Sequence, residues 1–127
     1  MPSFGTLKAD TLTHSTAGSL ATNFVVEGSL KYWAFINQST GVIENSLNIA
    51  SQTDNGTGDT TITFSSAMTD AFHSTNVTSQ PVTSTYERAK LFGSNTTTTQ
   101  RMQNEQTNDA TDRDTTDLDI QGAGDLA

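Results

Sequence analysis

The clearest pattern of apolar and polar positions in this sequence lies between Leu30 and Ile36, its most hydrophobic segment. Successive side chains of a β-strand point to opposite faces. One face of this strand would therefore carry Leu30, Tyr32, Ala34 and Ile36, and the other Lys31, Trp33 and Phe35. Because both faces hold apolar groups, the pattern predicts a central strand, or a strand whose second face meets a partner subunit.

Weaker strand patterns follow along the chain and predict an all-β fold. Ile62 and Phe64 alternate with Thr residues at a period of two, which is typical of a half-buried strand. The segment 85–92 is predicted to be strand or loop with one helical turn at most, and Pro81 is predicted to interrupt a strand or mark an edge. Further strands are predicted over 23–28, 42–51, 60–64, 71–79, 96–105 and 115–120, the first of them stopped by Gly28.

Asn55-Gly56 stands between two of these strand patterns, within the stretch TDNGTGDTTITF. Asn-Gly is the strongest short-range signal for a hairpin, because both residues tolerate positive φ. The sequence therefore predicts a hairpin that turns at Asn55-Gly56.

Composition supports strands over helices. The chain has 127 residues, of which 24 are Thr and 13 are Ser, while only 32% are hydrophobic and 16% charged. Thr suits a pleated surface because its Cβ is branched. We predict an antiparallel β-sandwich, jelly-roll-like, with a thin core over residues 23–127, and an extended N-terminal arm or edge strand over residues 1–22. Disorder competes with this prediction, above all for residues 94–117, but the apolar return at Leu118 and Ile120 favours structure.

Charge limits the partners. The net charge is −8, the pI is near 4.3 and the six Lys and Arg residues are scattered, so no nucleic acid partner is expected. No apolar run approaches the roughly 20 residues of a membrane span, and the N-terminus has no signal-peptide pattern. We expect no membrane partner and no secretion by a standard signal. The chain has no Cys, so disulfide and thiolate chemistry are excluded.

The residues considered as metal ligands or catalytic groups are better explained as acids in solvated turns and as an outward strand residue. Six of the ten Asp residues fall in the last nineteen positions, but no glycine and no Glu follow at the spacing of a calcium loop. The loop between Asp54 and Asp59 also lacks ligands at the right positions, so solvated turn acids are favoured over calcium. His14 and His73 have no partner at zinc-ligand spacing, and His73 is predicted to be an outward strand residue. The sequence predicts no catalytic, cofactor-binding or metal residue, and no cofactor.

The aromatic residues Trp33, Phe35, Tyr32 and Phe64 are the remaining candidates for a site. Exposed rings of this kind can stack on a sugar, and two carboxylates could cleave one. Nothing in the sequence singles out such a carboxylate pair. Packing in the core or at a subunit interface is therefore the favoured interpretation of all four.

Several motifs together resemble a small β-sandwich domain of tailed bacteriophages, found at tail-fibre ends and as separate virion proteins. The motifs are Lys31-x-Trp33 with Phe35, the Ser46-Leu47-Asn48 strand, the Asp54–Asp59 loop, the Thr60–Phe64 strand, and the closing Gly124-Asp125-Leu126-Ala127. The likeness covers residues 5–68 and the C-terminus. It departs at Gly122-Ala123-Gly124, where an apolar residue is usual, and this leaves the packing of the last strand open.

The resemblance implies a non-enzymatic homotrimer on the surface of a virion. We expect a tail-fibre or tail-associated module that contacts the host cell surface and other virion proteins. The alternative is a capsid decoration protein, trimeric at three-fold positions of the lattice. A third possibility, from another class, is a carbohydrate-processing enzyme built on a β-sandwich.

Overall fold

A computed structural model of the chain describes residues 11–14, 18–80, 87–93 and 95–127. These residues form ten strands and one short helix, α1 (Thr22–Gly28). The predictions for residues 1–10, for Pro81 and for Tyr86 lie outside the described residues. The strands are β1 (Thr11–His14), β2 (Gly18–Ala21), β3 (Leu30–Asn37), β4 (Val42–Leu47), β5 (Ile49–Gly56), β6 (Asp59–Phe64), β7 (Ser74–Gln80), β8 (Glu87–Leu91), β9 (Thr99–Gln106) and β10 (Asp117–Ala123).

Eight of these strands form two antiparallel sheets. The Trp33 sheet has the order β4-β3-β10-β7, and the Arg101 sheet has the order β5-β6-β9-β8. The chain passes between them after β4, where Asn48 adopts a φ of 58°, and this residue divides the single strand predicted over 42–51. In the described part of the predicted arm, β1 and β2 pair with each other.

The inner faces of both sheets contribute to one apolar cluster, so the fold is all-β and β-sandwich-like. Tyr32, Ala34 and Ile36 enter the cluster from β3, and Ile62 and Phe64 enter it from β6, as the alternation predicted. Burying each large apolar side chain stabilises the fold by about 1.5–3 kcal/mol. The jelly-roll-like course and the trimer are finer statements and stay predictions.

Gly122 explains how β10 packs against Tyr32 at a position that has no side chain. A Cβ at this position would overlap the ring of Tyr32, which is fully buried. The absent side chain makes room for the tyrosine, while Leu118 and Ile120 on the same strand fill the core. Glycine at position 122 and the ring of Tyr32 are thus complementary in shape.

The strand predicted over 23–28 is wrong, because these residues lie in α1. A short apolar run does not distinguish strand from helix by its period. The end of the helix is satisfied locally: Ser29 N donates to Val25 O at 3.2 Å, and Lys31 Nζ donates to Val26 O. A cation and a capping donor at the C-terminus stabilise even a short helix.

The predicted hairpin exists, but its turn lies two residues further on. Gly56 pairs with Asp59 across β5 and β6, so the loop consists of Thr57 and Gly58. Gly58 has a φ of +71°, and a Cβ there would lie 2.7 Å from the Arg113 nitrogen. Contacts with a distant part of the chain therefore require glycine at position 58, which local sequence could not show.

His73 corrects a further prediction. It was expected to face outward on a strand, but it precedes β7 and is only 7% exposed. Its Nδ1 lies 3.1 Å from the Tyr32 hydroxyl and its Nε2 lies 3.3 Å from Thr96 O. Because a carbonyl oxygen only accepts, Nε2 donates to Thr96, and in the neutral ring Nδ1 accepts from a hydroxyl.

Candidate functional site

The outer face of the Trp33 sheet carries the side chains that point away from the core. Because Tyr32, Ala34 and Ile36 point inward, Trp33 and Phe35 on the same strand point outward, and both are half-buried. Trp33 lies opposite Leu47 of β4 on one side and opposite Gln121 of β10 on the other. The register of these three strands therefore builds one continuous outer surface.

This outer face divides into two halves of different chemistry. The apolar half lies on β4 and β3 and consists of Trp33, Phe35, Val42 and Leu47. The polar half lies on β10 and β7 and consists of Asn76, Thr78, Asp119 and Gln121. In the apolar half, Val42 and Leu47 are 44% and 47% exposed. In the polar half, Gln121 lies opposite Asn76, and Asp119 lies opposite Thr78.

A groove of about 440 Å³ runs along the boundary between the halves. Its walls are Leu30 and Trp33 on one side and the whole polar half on the other. This volume falls within the roughly 300–1,000 Å³ of small-molecule sites. The arrangement combines one broad aromatic ring with four hydrogen-bonding side chains.

The electrostatics of the groove are acidic. Burial raises the pKa of the Asp119 carboxyl, and the neighbouring charge of Asp117 raises it further. No Lys, Arg or His contributes to the described lining of the groove. Lys31, on β3 beside Trp33, directs its ammonium group to the Ser29 hydroxyl at 2.7 Å and to the end of α1. The groove therefore presents negative potential to a ligand.

A second, smaller groove of about 250 Å³ lies beside His73. It is lined by Glu27, Asp70, Phe72, Gly124 and Asp125 as well. Although three of these residues are acidic, the described part of the chain contains no group of three or more His, Cys, Asp or Glu residues arranged to hold a metal ion.

Three of the acids considered as calcium ligands have structural partners. Asp54 Oδ1 accepts from Gly56 N at 2.9 Å, and Asp114 Oδ1 accepts from Gly58 N at 2.6 Å. Asp59 forms an ion pair with Arg101, in which Nε lies 2.8 Å from Oδ1. This contact from Arg101 lowers the pKa of the Asp59 carboxyl. These carboxylates brace the hairpin between β5 and β6.

The outer face of the Arg101 sheet holds a second group of paired charges. Glu105 is almost fully buried and accepts from both Arg88 and Lys90 on the neighbouring strand. Arg101 also lies over the ring of Phe92, 4.7 Å from its centroid. Sequence analysis missed this group, because the pairing depends on the register of β8 with β9.

The four aromatic candidates separate into two pairs. Tyr32 and Phe64 lie in the core with their ring centroids 4.6 Å apart, whereas Trp33 and Phe35 lie on the outer face. The sequence did not single out Asn76, Thr78 or Gln121, which complete the groove. The one available signal was the alternation Asp117-x-Asp119-x-Gln121, which places three polar side chains on one face.

No protein-family model matches this chain, and the searches of curated proteins and of solved structures each found no match. Within the described ranges, no helix has the length and apolar character needed to cross a membrane.

Proposed function

We propose that this protein is a non-enzymatic structural component of a tailed bacteriophage virion. It is made in the host cytoplasm and displayed on the particle surface as a homotrimeric tail-fibre or tail-associated module that contacts the host. The observation that carries the proposal is the apolar half of the Trp33 sheet, which a single chain leaves uncovered. The motifs shared with phage β-sandwich domains support the same assignment.

The apolar half supports self-association. Trp33 pairs with Leu47, while Phe35 and the exposed Val42 lie on the same two strands, with Asn45 opposite Phe35. Exposed apolar surface of this kind on a folded domain marks an interaction site. A closed trimer is built from head-to-tail contacts, so each subunit must offer two different surfaces. The apolar half supplies one of them, and burying it compensates for a chain with few hydrophobic residues.

A structural role agrees with how the buried charges are used. Glu105 joins Arg88 to Lys90, and Asp59 joins the β5–β6 hairpin to β9 through Arg101. These groups tie strands together instead of converging on a cavity. Incubation with host-surface polysaccharide tests the enzymatic alternative, and we expect intact polysaccharide. Release of shortened chains would contradict a non-enzymatic role.

Light scattering tests the trimer. We expect a mass three times the 13.5 kDa of the chain. Leu47→Glu combined with Val42→Glu should give monomers, because charges would be buried in the interface. Thr57→Glu, in an exposed loop, is the control and should leave the trimer intact. A wild-type monomer at all concentrations would contradict the proposal.

Labelling of intact particles tests the location. Antibodies against this protein, detected by electron microscopy on the phage that encodes it, should bind at the tail. Regularly spaced label over the shell would instead assign the capsid decoration role. Absence of label from purified particles would contradict both.

A further inference from the structure

We propose that the groove between Trp33 and the polar half of its sheet binds a neutral saccharide. The inference rests on the proposed function, since it names the chemistry that a surface-displayed module would recognise on a host envelope. The groove and the trimer contact meet at Trp33, but the hydrogen-bonding wall of the groove lies on β10 and β7, whereas Val42 and Leu47, which test the trimer contact, lie on β4.

Trp33 forms the stacking wall. Its indole is half-buried between the neighbouring strands, so its position is restricted before any ligand arrives. An aromatic ring of this kind offers a broad apolar face together with one N–H donor. Trp33 makes no side-chain hydrogen bond to another residue in the described ranges, which leaves that donor available to a ligand.

The opposite wall supplies hydrogen-bonding groups that the protein does not use. The side chains of Asn76, Thr78, Asp119 and Gln121 line the groove, and within the described ranges none of the four is hydrogen-bonded to another residue. Two amides and a hydroxyl each donate and accept, while the carboxylate accepts. A ligand with adjacent hydroxyl groups, each both donor and acceptor, matches this set.

The spacing of these groups is fixed by the sheet. Asn76 and Gln121 are paired across β7 and β10, as are Thr78 and Asp119. Neighbouring strands lie about 4.8 Å apart, and alternate residues along a strand lie about 7 Å apart. The backbone positions of the four residues therefore form a rectangle beside the indole, and the sheet fixes their spacing before a ligand binds.

Charge decides which class of ligand fits. The lining carries Asp119 and no described cation, and the Lys31 ammonium group is held at Ser29. The chain as a whole carries a net charge of −8. Phosphorylated, sulfated or uronic acid ligands would meet negative potential without a compensating charge. A neutral saccharide meets no such penalty.

Fluorescence provides a direct test, because Trp33 is the sole tryptophan of the sequence. The wild-type protein is titrated with maltoheptaose, cellohexaose, N-acetylchitohexaose and dextran up to millimolar concentrations, with dextran sulfate as the anionic counterpart. We expect a saturable change in Trp33 emission with at least one neutral probe and none with dextran sulfate. Isothermal calorimetry with that probe should give the same affinity.

Variants locate the binding. Asn76→Ala and Gln121→Ala should each weaken binding of the responding probe about tenfold, corresponding to about 1.4 kcal/mol. Gln80→Ala is the matched control, since Gln80 lies on the same strand and face but outside the groove. It should bind as tightly as the wild type, and circular dichroism should show all three variants folded.

Three results would overturn the inference: no response to any neutral probe, a response to dextran sulfate alone, or equal loss in Gln80→Ala and the two groove variants. The trimer and the particle location are measured independently of these titrations. A trimer on the tail that binds no saccharide would refute only the groove, whereas a monomer that binds one would refute only the oligomeric state.

Discussion

At one end of the sandwich interior, Tyr32 packs against Phe64 and His73, with ring centroids 4.6 and 5.6 Å from its own. At the other end, Asn104 is fully buried among hydrogen-bonding groups. Its Oδ1 accepts from Ser79 Oγ at 2.7 Å, and its Nδ2 donates to Glu87 and to Arg113 O. We call these the aromatic end and the polar end.

The polar end also joins segments that are far apart in the chain. Gln38 Nε2 donates to Thr60 Oγ1 at 3.1 Å, and Gln38 Oε1 accepts from Thr115 N at 3.2 Å. Apolar packing is non-directional and tolerates small shifts, whereas each buried amide needs a partner at a fixed distance and angle. The aromatic end should therefore tolerate apolar substitutions of similar volume, whereas the polar end should lose stability whenever one hydrogen-bonding group is removed.

The largest expected effect is at Gly58, in the polar end. Gly58→Ala should lower the free energy of unfolding by about 3 kcal/mol or more, because the new Cβ would meet backbone atoms of Asn104 and Arg113 at a strained positive φ. Gly93→Ala is the matched control, since Gly93 has a φ of +75° but nothing within 4 Å. It should cost only about 1 kcal/mol. If urea denaturation showed equal losses of stability in the two variants, close packing around Gly58 would not explain the effect.

Asn104→Ala should be the next most damaging, with a loss of about 3 kcal/mol. The substitution removes the buried amide and leaves the part-buried Ser79 hydroxyl, Glu87 carboxylate and Arg113 carbonyl without this partner, and each unsatisfied group costs about 1–3 kcal/mol where water cannot replace the partner. Asn108→Ala, in an exposed turn after β9, should change stability by less than about 0.5 kcal/mol. A loss at Asn104 no greater than that of the control would show that the polar end is not specified by its hydrogen bonds.

A smaller loss, about 2 kcal/mol, is expected from Gly122→Ala in the aromatic end. Here the new Cβ would meet the far end of the Tyr32 side chain and not backbone, so the conflict can be relieved. The double variant Gly122→Ala with Tyr32→Leu should lose at least about 1 kcal/mol less than the sum of the two single variants. Strict additivity would contradict the contact that the structure shows.

The smallest effect is a difference in pH dependence between the ends. The hydrogen bond from Arg101 lowers the pKa of the Asp59 carboxyl, which lies beside the polar end. The ionised Asp59 therefore contributes stability above the unfolded-state pKa of about 3.9. This contribution is lost as the pH falls through the lower pKa of the folded state. Burial raises the pKa of Tyr32, so its contribution is lost as the pH rises above about 10.

Denaturation midpoints at acid, neutral and alkaline pH test this difference. Asp59→Asn should reduce the loss of stability in acid alone, and Tyr32→Phe should reduce the loss in alkali alone. If either variant reduced both losses equally, the assignment of the two titrations to opposite ends would be wrong.

The difference between the ends also explains what the sequence could predict. The sequence predicted which residues of β3 share a face and that Ile62 and Phe64 share one. Apolar side chains that alternate with polar ones in a strand lie on the same face, and that face is normally buried. In contrast, the strand predicted over 96–105 contains β9, but the sequence does not distinguish a buried amide side chain from a solvated one. Asn104 acquires its role only through Ser79 and Arg113, which are distant in sequence.

The candidate site shows the same division. The sequence predicted that Trp33 and Phe35 share one face of their strand and Tyr32 the other, but it left open which of these two faces lies in the core. Asn76 and Gln121 could not be placed beside them, because their position depends on β10 lying between β3 and β7. Local patterns predict which way a side chain points, whereas the register of distant strands determines what it meets.

The position of β10 has a consequence for synthesis. The last strand of the chain is an interior strand of the Trp33 sheet, paired with β3 on one side and β7 on the other. While the ribosome is still making residues 117–123, the backbone of β3 has an open edge beside its apolar face. Such edges recruit strands from other chains, so the nascent protein is prone to aggregation until residues 117–123 emerge. Folding should therefore be slow, as expected when decisive contacts join distant segments.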